Sequence, residues 1–227
     1  MKHVLLIRHP ESSKNVQDRF ASESGDEPLT RRGQDDVRNL AHEVKQFASH
    51  LGAYEISVHA SPSARAVGPA RFLADQIGGQ LFLDTNLASI VNAETSGRSF
   101  AQLAAEDAAL AREMNLYRAG VFSSYAIRKI SKNTRPYEAR VQRALESIRD
   151  LNNEFAVIVA HQSFMTFALI HVARLCNYYP PDFFGKVHLE LGSCALLSFS
   201  AECGWAMHFA DLAAGELNTI GRLLAGN

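Results

Sequence analysis

The stretch Val4-Leu5-Leu6-Ile7-Arg8-His9-Pro10-Glu11 turns from an apolar run to charge and proline without transition. So short a run, closed by polar residues, reads as a strand buried on both faces of a parallel sheet. Charged side chains just after it lie at the strand's C-terminal edge, where open α/β sheets bind ligands. The pattern recurs in Ala156-Val157-Ile158-Val159-Ala160, which is followed by His161-Gln162-Ser163. A third candidate strand, Ile56 to Ala60, runs into Ser61-Pro62 and then Arg65. Ser61-Pro62 reads as a helix cap with proline at the first helical position. If these strands are sheet neighbours, Arg8, His9, Arg65 and His161 converge on one edge.

The rest of the chain extends this plan. Residues Glu11 to Leu29 are polar, carry Gly25 and Pro28, and read as a long loop. Thr30 is an N-cap for a helix whose apolar face is Val37, Leu40, Ala41, Val44 and Phe47. A second helix, with Ala66, Ala70, Leu73 and Ile77, stops at Gly78-Gly79 before a strand at Gln80 to Leu83. Residues 84–137 are rich in alanine, serine and polar side chains with weak periodicity, and read as a helical insertion or lid. Val141, Ala144, Leu145, Ile148 and Leu151 mark another helix, and Phe164, Phe167, Ala168 and Leu175 one behind the second strand. Val187 to Leu191, Cys194 to Phe199 and Trp205 to Ala210 read as three strands. The expectation is an α/β fold: a three-layer α/β/α sandwich with a mostly parallel central sheet, a single domain over 1–227.

Composition narrows the function. At 227 residues, 47% hydrophobic and 21% charged, the chain is neither disordered nor collagen-like. Lysine plus arginine number 23 against 24 acidic residues, a net charge of -1. That balance argues against a nucleic-acid binder with a broad basic face, yet permits one basic pocket. Cys176, Cys194 and Cys203 form no CxxC pair, and an odd count reads as reduced thiols. Val4 to Ile7 is too short for a signal peptide or a span, and no later stretch reaches about 18 apolar residues. The expectation is a cytoplasmic protein with no membrane partner. No convincing metal-ligand cluster is present, so no metal and no cofactor is expected.

Two guanidiniums beside two imidazoles suit a phosphoryl group. Arginine forks match phosphate oxygens, and neutral histidine can attack phosphorus. In this light the chain resembles the histidine phosphatase superfamily, the phosphoglycerate-mutase-like enzymes. Its Arg-His-Gly-Glu-Thr…Asn opening is similar to Arg8-His9-Pro10-Glu11-Ser12…Asn15, and its Pro-Leu-Thr…Gly to Pro28-Leu29-Thr30…Gly33. Its Ser…Arg-Ala element resembles Ser61…Arg65-Ala66, and its Ser-His-Gly after a strand resembles Ala160-His161-Gln162. A late Asn-x-Thr-x-x-Leu element is loosely echoed from Asn218 to Leu223.

The resemblance implies a phosphohistidine on His9. Arg8, Arg65 and His161 would bind phosphoryl oxygens, and Ser12 and Asn15 would hydrogen-bond phosphate or substrate. Three residues depart from the family pattern. Pro10 replaces glycine and has no N–H to donate. Gln162 replaces the second glycine and could contact substrate. Ser89, in Leu87-Ala88-Ser89, stands where the family usually has the acidic Glu, which leaves Glu94 as the candidate general acid. The leading expectation is a metal-independent phosphatase acting on a phosphorylated small molecule or phosphoprotein. A phosphoglycerate-type mutase stands as an alternative, because the lid carries Arg98, Arg112, Arg118, Arg128, Lys129, Lys132 and Arg135. A non-enzymatic phospho-ligand binder is the other alternative, on the strength of Pro10 and Ser89.

Overall fold

A computed structural model describes residues 1–22, 24–91, 95–118, 134–176 and 188–224. Its strands are β1 (Lys2–Arg8), β2 (Ile56–Ala60), β3 (Gln80–Leu83), β4 (Phe155–Ala160), β5 (Cys194–Ser200) and β6 (Gly204–Leu212). Its α-helices are α1 (Ser13–Val16), α2 (Arg31–His50), α3 (Ala64–Ile77), α4 (Phe100–Glu106), α5 (Ala108–Arg118), α6 (Thr134–Arg149), α7 (Gln162–Leu175) and α8 (Leu217–Leu224). The strands form one sheet in the order β3-β2-β4-β1-β5-β6. β3, β2, β4 and β1 are parallel, while β5 is antiparallel to both β1 and β6. The sheet is therefore mixed and mostly parallel, as expected.

Side-chain alternation along β1 builds the three layers. Val4 and Leu6 enter a core made with Val141, Ala144, Leu145 and Ile148 of α6 and with the apolar residues of α7. Leu5 and Ile7 enter a second core with Val44 and Phe47 of α2, Leu73 of α3 and Leu217 of α8. All four β1 side chains are fully buried, and each such burial is worth roughly 1.5–3 kcal/mol. Register sets the working edge: Arg8 pairs with Ala160, and Ala60 with Val159. The three strand exits therefore stand side by side, with β4 in the middle.

Four boundaries differ from the sequence expectation. The loop from Glu11 to Leu29 contains the short helix α1. α3 is capped by Ser63 and begins at Ala64, because the Ser61 N–H still belongs to the sheet edge, donating to the Val159 carbonyl at 3.2 Å. Residues 188–191 form no strand although His188-Leu189-Glu190-Leu191 alternates. Their backbone groups bond side chains instead of a ladder. Gln162 Oε1 accepts from Leu189 N–H, Arg8 donates to the Leu189 carbonyl, and Asp211 accepts from Glu190 N–H; Val187 lies outside the described residues. Residues 84–137, expected as an insertion or lid, supply α4 and α5, yet the ends of the segment belong to the core, where Leu87 and Tyr137 are buried. Among the described residues no helix is long and apolar enough to cross a membrane.

Candidate active site

The segment after β1 is clamped from α2. The Glu11 carbonyl accepts from Thr30 N–H at 3.0 Å, and Glu11 Oε1 accepts from the Thr30 hydroxyl at 2.7 Å. That hydroxyl also caps α2 by accepting from Gly33 N–H at 3.1 Å. A Cβ on Gly33 would lie 2.1 Å from the Glu11 carbonyl oxygen, so only glycine lets the helix approach so closely. The Pro28-Leu29-Thr30…Gly33 element is thus the brace of the Arg8-His9 loop. Further along, Ser12 N–H (3.0 Å) and Ser12 O–H (2.6 Å) both donate to Asn15 Oδ1. This leaves the Asn15 amide hydrogens as the donors it can offer a ligand.

His9 is almost fully buried, and its backbone N–H donates to the Ala160 carbonyl at 3.0 Å. Its Nδ1 lies 2.8 Å from the Pro10 carbonyl oxygen. A carbonyl only accepts, so Nδ1 carries the hydrogen and a neutral His9 has its lone pair on Nε2. Burial first, and then the charges of Arg65 and Lys14, hold His9 well below the usual imidazole range. His161 meets His9 edge-on, with ring centroids 5.2 Å apart. Its Nε2 lies 2.8 Å from Ser61 Oγ and 3.2 Å from Ser63 Oγ, while Nδ1 is buried without a protein partner. Burial, Arg65 and His9 likewise push His161 down.

Arg65 is buried and ion-paired with Glu27. Desolvation lowers its pKa, against the opposing pull of Glu27. Glu27 Oε1 in turn accepts from the N–H and O–H of Ser22, each at 2.6 Å. Arg65 Nε is buried with no partner. Arg8 is anchored on the Leu189 carbonyl and lies 3.5 Å from His188 Nε2.

These groups meet in a cavity of about 330 Å³. Arg8, His9, Asn15, Arg65, His161 and Gln162 all line it. Ser12 does not; it stands behind Asn15. The Gln162 amide is already engaged, accepting from Leu189 N–H and donating to Thr166 Oγ1 at 3.1 Å. Ser89 is on the wall, with its hydroxyl 3.3 Å from Ser163 Oγ. Glu94 lies outside the described residues. Lys14, Asp18, Arg19 and His188 also line the cavity, and sequence reasoning passed over them. Lys14 sits on a helix of only four residues inside what reads as loop, too short to show periodicity. Of the basic residues expected in a lid, Arg98 and Arg112 do not line the cavity, and Arg98 pairs with Glu106. The side chains of Arg118, Arg128, Lys129, Lys132 and Arg135 lie outside the described residues. Among the described residues no group of three or more His, Cys, Asp or Glu side chains could hold a metal ion.

Over residues 4–211 the chain matches the sequence profile of the histidine phosphatase superfamily (branch 1). The chain belongs to this superfamily. Solved structures share its fold at low identity. A protein described as mycobacterial hydrolase 1 aligns with TM-score 0.71 and 15% identity, over 93% of this chain and 99% of its own. An alpha-ribazole phosphatase from Shigella flexneri aligns with TM-score 0.68 and 18% identity, over 93% and 96%. A mycobacterial glucosyl-3-phosphoglycerate phosphatase, solved with VO3, aligns with TM-score 0.67 and 16% identity, over 93% and 99%. No curated protein matches the chain. Within the superfamily fold, the Arg8-His9 and His161 motifs fall at the exits of adjacent β1 and β4.

Proposed function

We propose that this chain is a metal-independent phosphatase that transfers a phosphoryl group to His9 Nε2 and then to water. The observation that carries the proposal is the Nδ1–H bond to the Pro10 carbonyl, which leaves the lone pair on Nε2 in a cavity shared with Arg8, Arg65 and His161. In the first step the Nε2–P bond forms as the P–O ester bond breaks. The electron pair of that bond goes to the leaving oxygen, which takes up a proton. In the second step water attacks phosphorus, the N–P bond breaks, a water proton is lost and orthophosphate leaves. The Arg65 guanidinium, the His161 ring and Arg8 stabilise the transferring group electrostatically. The partnerless Arg65 Nε and His161 Nδ1 are buried polar atoms that an anion would satisfy. Asn15 adds its amide hydrogens. Glu94 completes the proposal as proton donor to the leaving oxygen.

Cys176, Cys194 and Cys203 are free thiols, which suits the cytoplasmic location included in the proposal.

The test is turnover of p-nitrophenyl phosphate, with rapid quench to trap labelled protein. Native protein should carry acid-labile, base-stable phosphate and keep its rate in EDTA, while His9→Ala should show neither label nor turnover. Label persisting on His9→Ala would remove His9 as the nucleophile. Conversion of 3-phosphoglycerate that requires a bisphosphate would favour a mutase instead.

A further inference from the structure

The cavity carries more than its basic groups. Phe20, Ala21, Ile90, Val91 and Phe100 also line it. Phe20, Ile90 and Phe100 pack against Leu103 of α4 and Leu110 of α5, so the wall is supported from behind. Backbone bonds fix it laterally: Phe20 N–H donates to the Arg98 carbonyl at 3.0 Å, and Phe100 N–H to the Asp18 carbonyl at 2.9 Å. The two rings lie 6.0 Å apart with planes inclined at 35°. None of these wall residues is fully buried, and Val91 is 38% exposed.

A sugar or glycerate substrate would want hydrogen-bonding groups where this apolar wall stands. A flat apolar ring would cover the wall and remove it from water. The volume of about 330 Å³ is at the small end of ligand pockets, which run roughly 300–1,000 Å³. Next to Ile90 stands Ser89, a hydroxyl rather than a carboxylic acid. A phenolic oxygen is a better leaving group than an alkyl one and depends less on an acid.

We infer that the substrate of this site is an aryl phosphomonoester, its ring resting on Phe20, Ile90 and Phe100 while its phosphoryl group meets His9. The inference rests on the phosphatase reading above. The Nε2–P bond forms, the P–O(aryl) bond breaks with its electron pair to the phenolic oxygen, and that oxygen takes a proton from water. Hydrolysis of the phosphohistidine then gives orthophosphate.

The experiment compares kcat/KM for methyl, phenyl and 1-naphthyl phosphates. Phenyl and naphthyl esters have similar leaving groups and differ in apolar area, so their ratio reports the wall alone. The native protein should favour naphthyl over phenyl by about tenfold, chiefly in KM. Phe20→Ala and Phe100→Ala should each bring that ratio close to one, and the milder Phe20→Leu should lower it partway. Leu103→Ala, which removes support from behind Phe20, Ile90 and Phe100, should also lower the ratio partway, and an unchanged ratio in all of these variants counts against the wall. A native naphthyl-to-phenyl ratio of one, with all three esters hydrolysed, overturns the inference and leaves the phosphatase reading standing. No turnover of any ester and no label on His9 overturns both. A phosphotyrosyl peptide forms a second arm. Turnover above that of phenyl phosphate places the aryl group on a protein chain, and lower turnover places it on a small molecule.

Discussion

Glu27→Gln isolates the charge of the buried pair with Arg65. The amide keeps the shape of the side chain, and its oxygen can still accept from Ser22 N–H and O–H, now each at 2.6 Å on the carboxylate. What disappears is the negative charge beside Arg65, a guanidinium whose side chain is 2% exposed against 11% for Glu27. Leaving one member of a buried pair alone costs about 3–5 kcal/mol. The lower end applies, because Arg65 also borders an open cavity. For a chain of 227 residues, a loss of about 3 kcal/mol lowers Tm by roughly 6–12 °C. Orthophosphate supplies a replacement anion. At a concentration about 100 times Kd it stabilises a binding-competent protein by about 2.7 kcal/mol. With Glu27 neutralised its attraction to Arg65 increases, so the phosphate-induced rise in Tm should be larger in Glu27→Gln than in the native protein. Differential scanning fluorimetry across a phosphate series measures both effects. A Tm within about 2 °C of native, or an unchanged phosphate shift, would refute the assignment of Glu27 as the partner that positions and neutralises Arg65.

Arg65→Ala should lower kcat/KM by at least about 10²-fold, with Arg65→Lys recovering only part of it since the planar fork is lost. Steady-state kinetics on p-nitrophenyl phosphate check this, and equal rates in native and Arg65→Ala proteins would contradict it. Glu94→Gln should depress hydrolysis of methyl phosphate far more than that of p-nitrophenyl phosphate, whose leaving group needs little protonation; an unchanged ratio of the two would exclude Glu94 as the acid. Stability should fall in mild acid. Burial holds His59 at about 4 against an ordinary 6.5, so below about 6.5 the unfolded chain takes up a proton that the folded chain refuses. This stability is present above 6.5 and lost as pH falls toward 4, with roughly 2 kcal/mol gone near pH 5. Urea midpoints at about pH 7.5 and 5, for native and His59→Gln proteins, should show a smaller acid loss in the variant.

Much of the fold was legible because the strand signals coincide with chemistry. Val4 to Ile7 and Ala156 to Ala160 are too apolar for an exposed face, and each stops at a histidine. That fixed where the edge of the sheet would be. What the residues alone did not supply was adjacency: β4 lies between β2 and β1, an order set by long-range pairing. Ser61 was legible as a cap, yet its hydroxyl serves His161 and Ser63 takes the cap position. Glu27 offered only a faint signal, a carboxylate directly before Pro28 in a polar loop; its partner is far along the chain at Arg65. Phe20 was hidden for a related reason. A lone aromatic in a polar segment shows no period, and its packing against Phe100 depends on the distant backbone pairing near Arg98.

The two histidines of the candidate site occupy equivalent places at adjacent strand exits, and their second nitrogens set them apart. His9 gives its Nδ1 hydrogen to the Pro10 carbonyl, which fixes the neutral tautomer and leaves the lone pair on Nε2, as the proposed nucleophile requires. His161 turns Nε2 to the hydroxyls of Ser61 and Ser63 and leaves Nδ1 without a partner. A hydroxyl can donate as well as accept, so His161 can carry its hydrogen on Nδ1 and donate it to an anion. The proposed roles of nucleophile and donor thus rest on what each ring is bonded to. The same geometry accounts for proline at position 10. The group used there is the carbonyl, which proline retains, and the fixed φ of its ring narrows the directions that carbonyl can take. The bond that orients His9 needs no N–H at position 10, because its hydrogen comes from the imidazole itself.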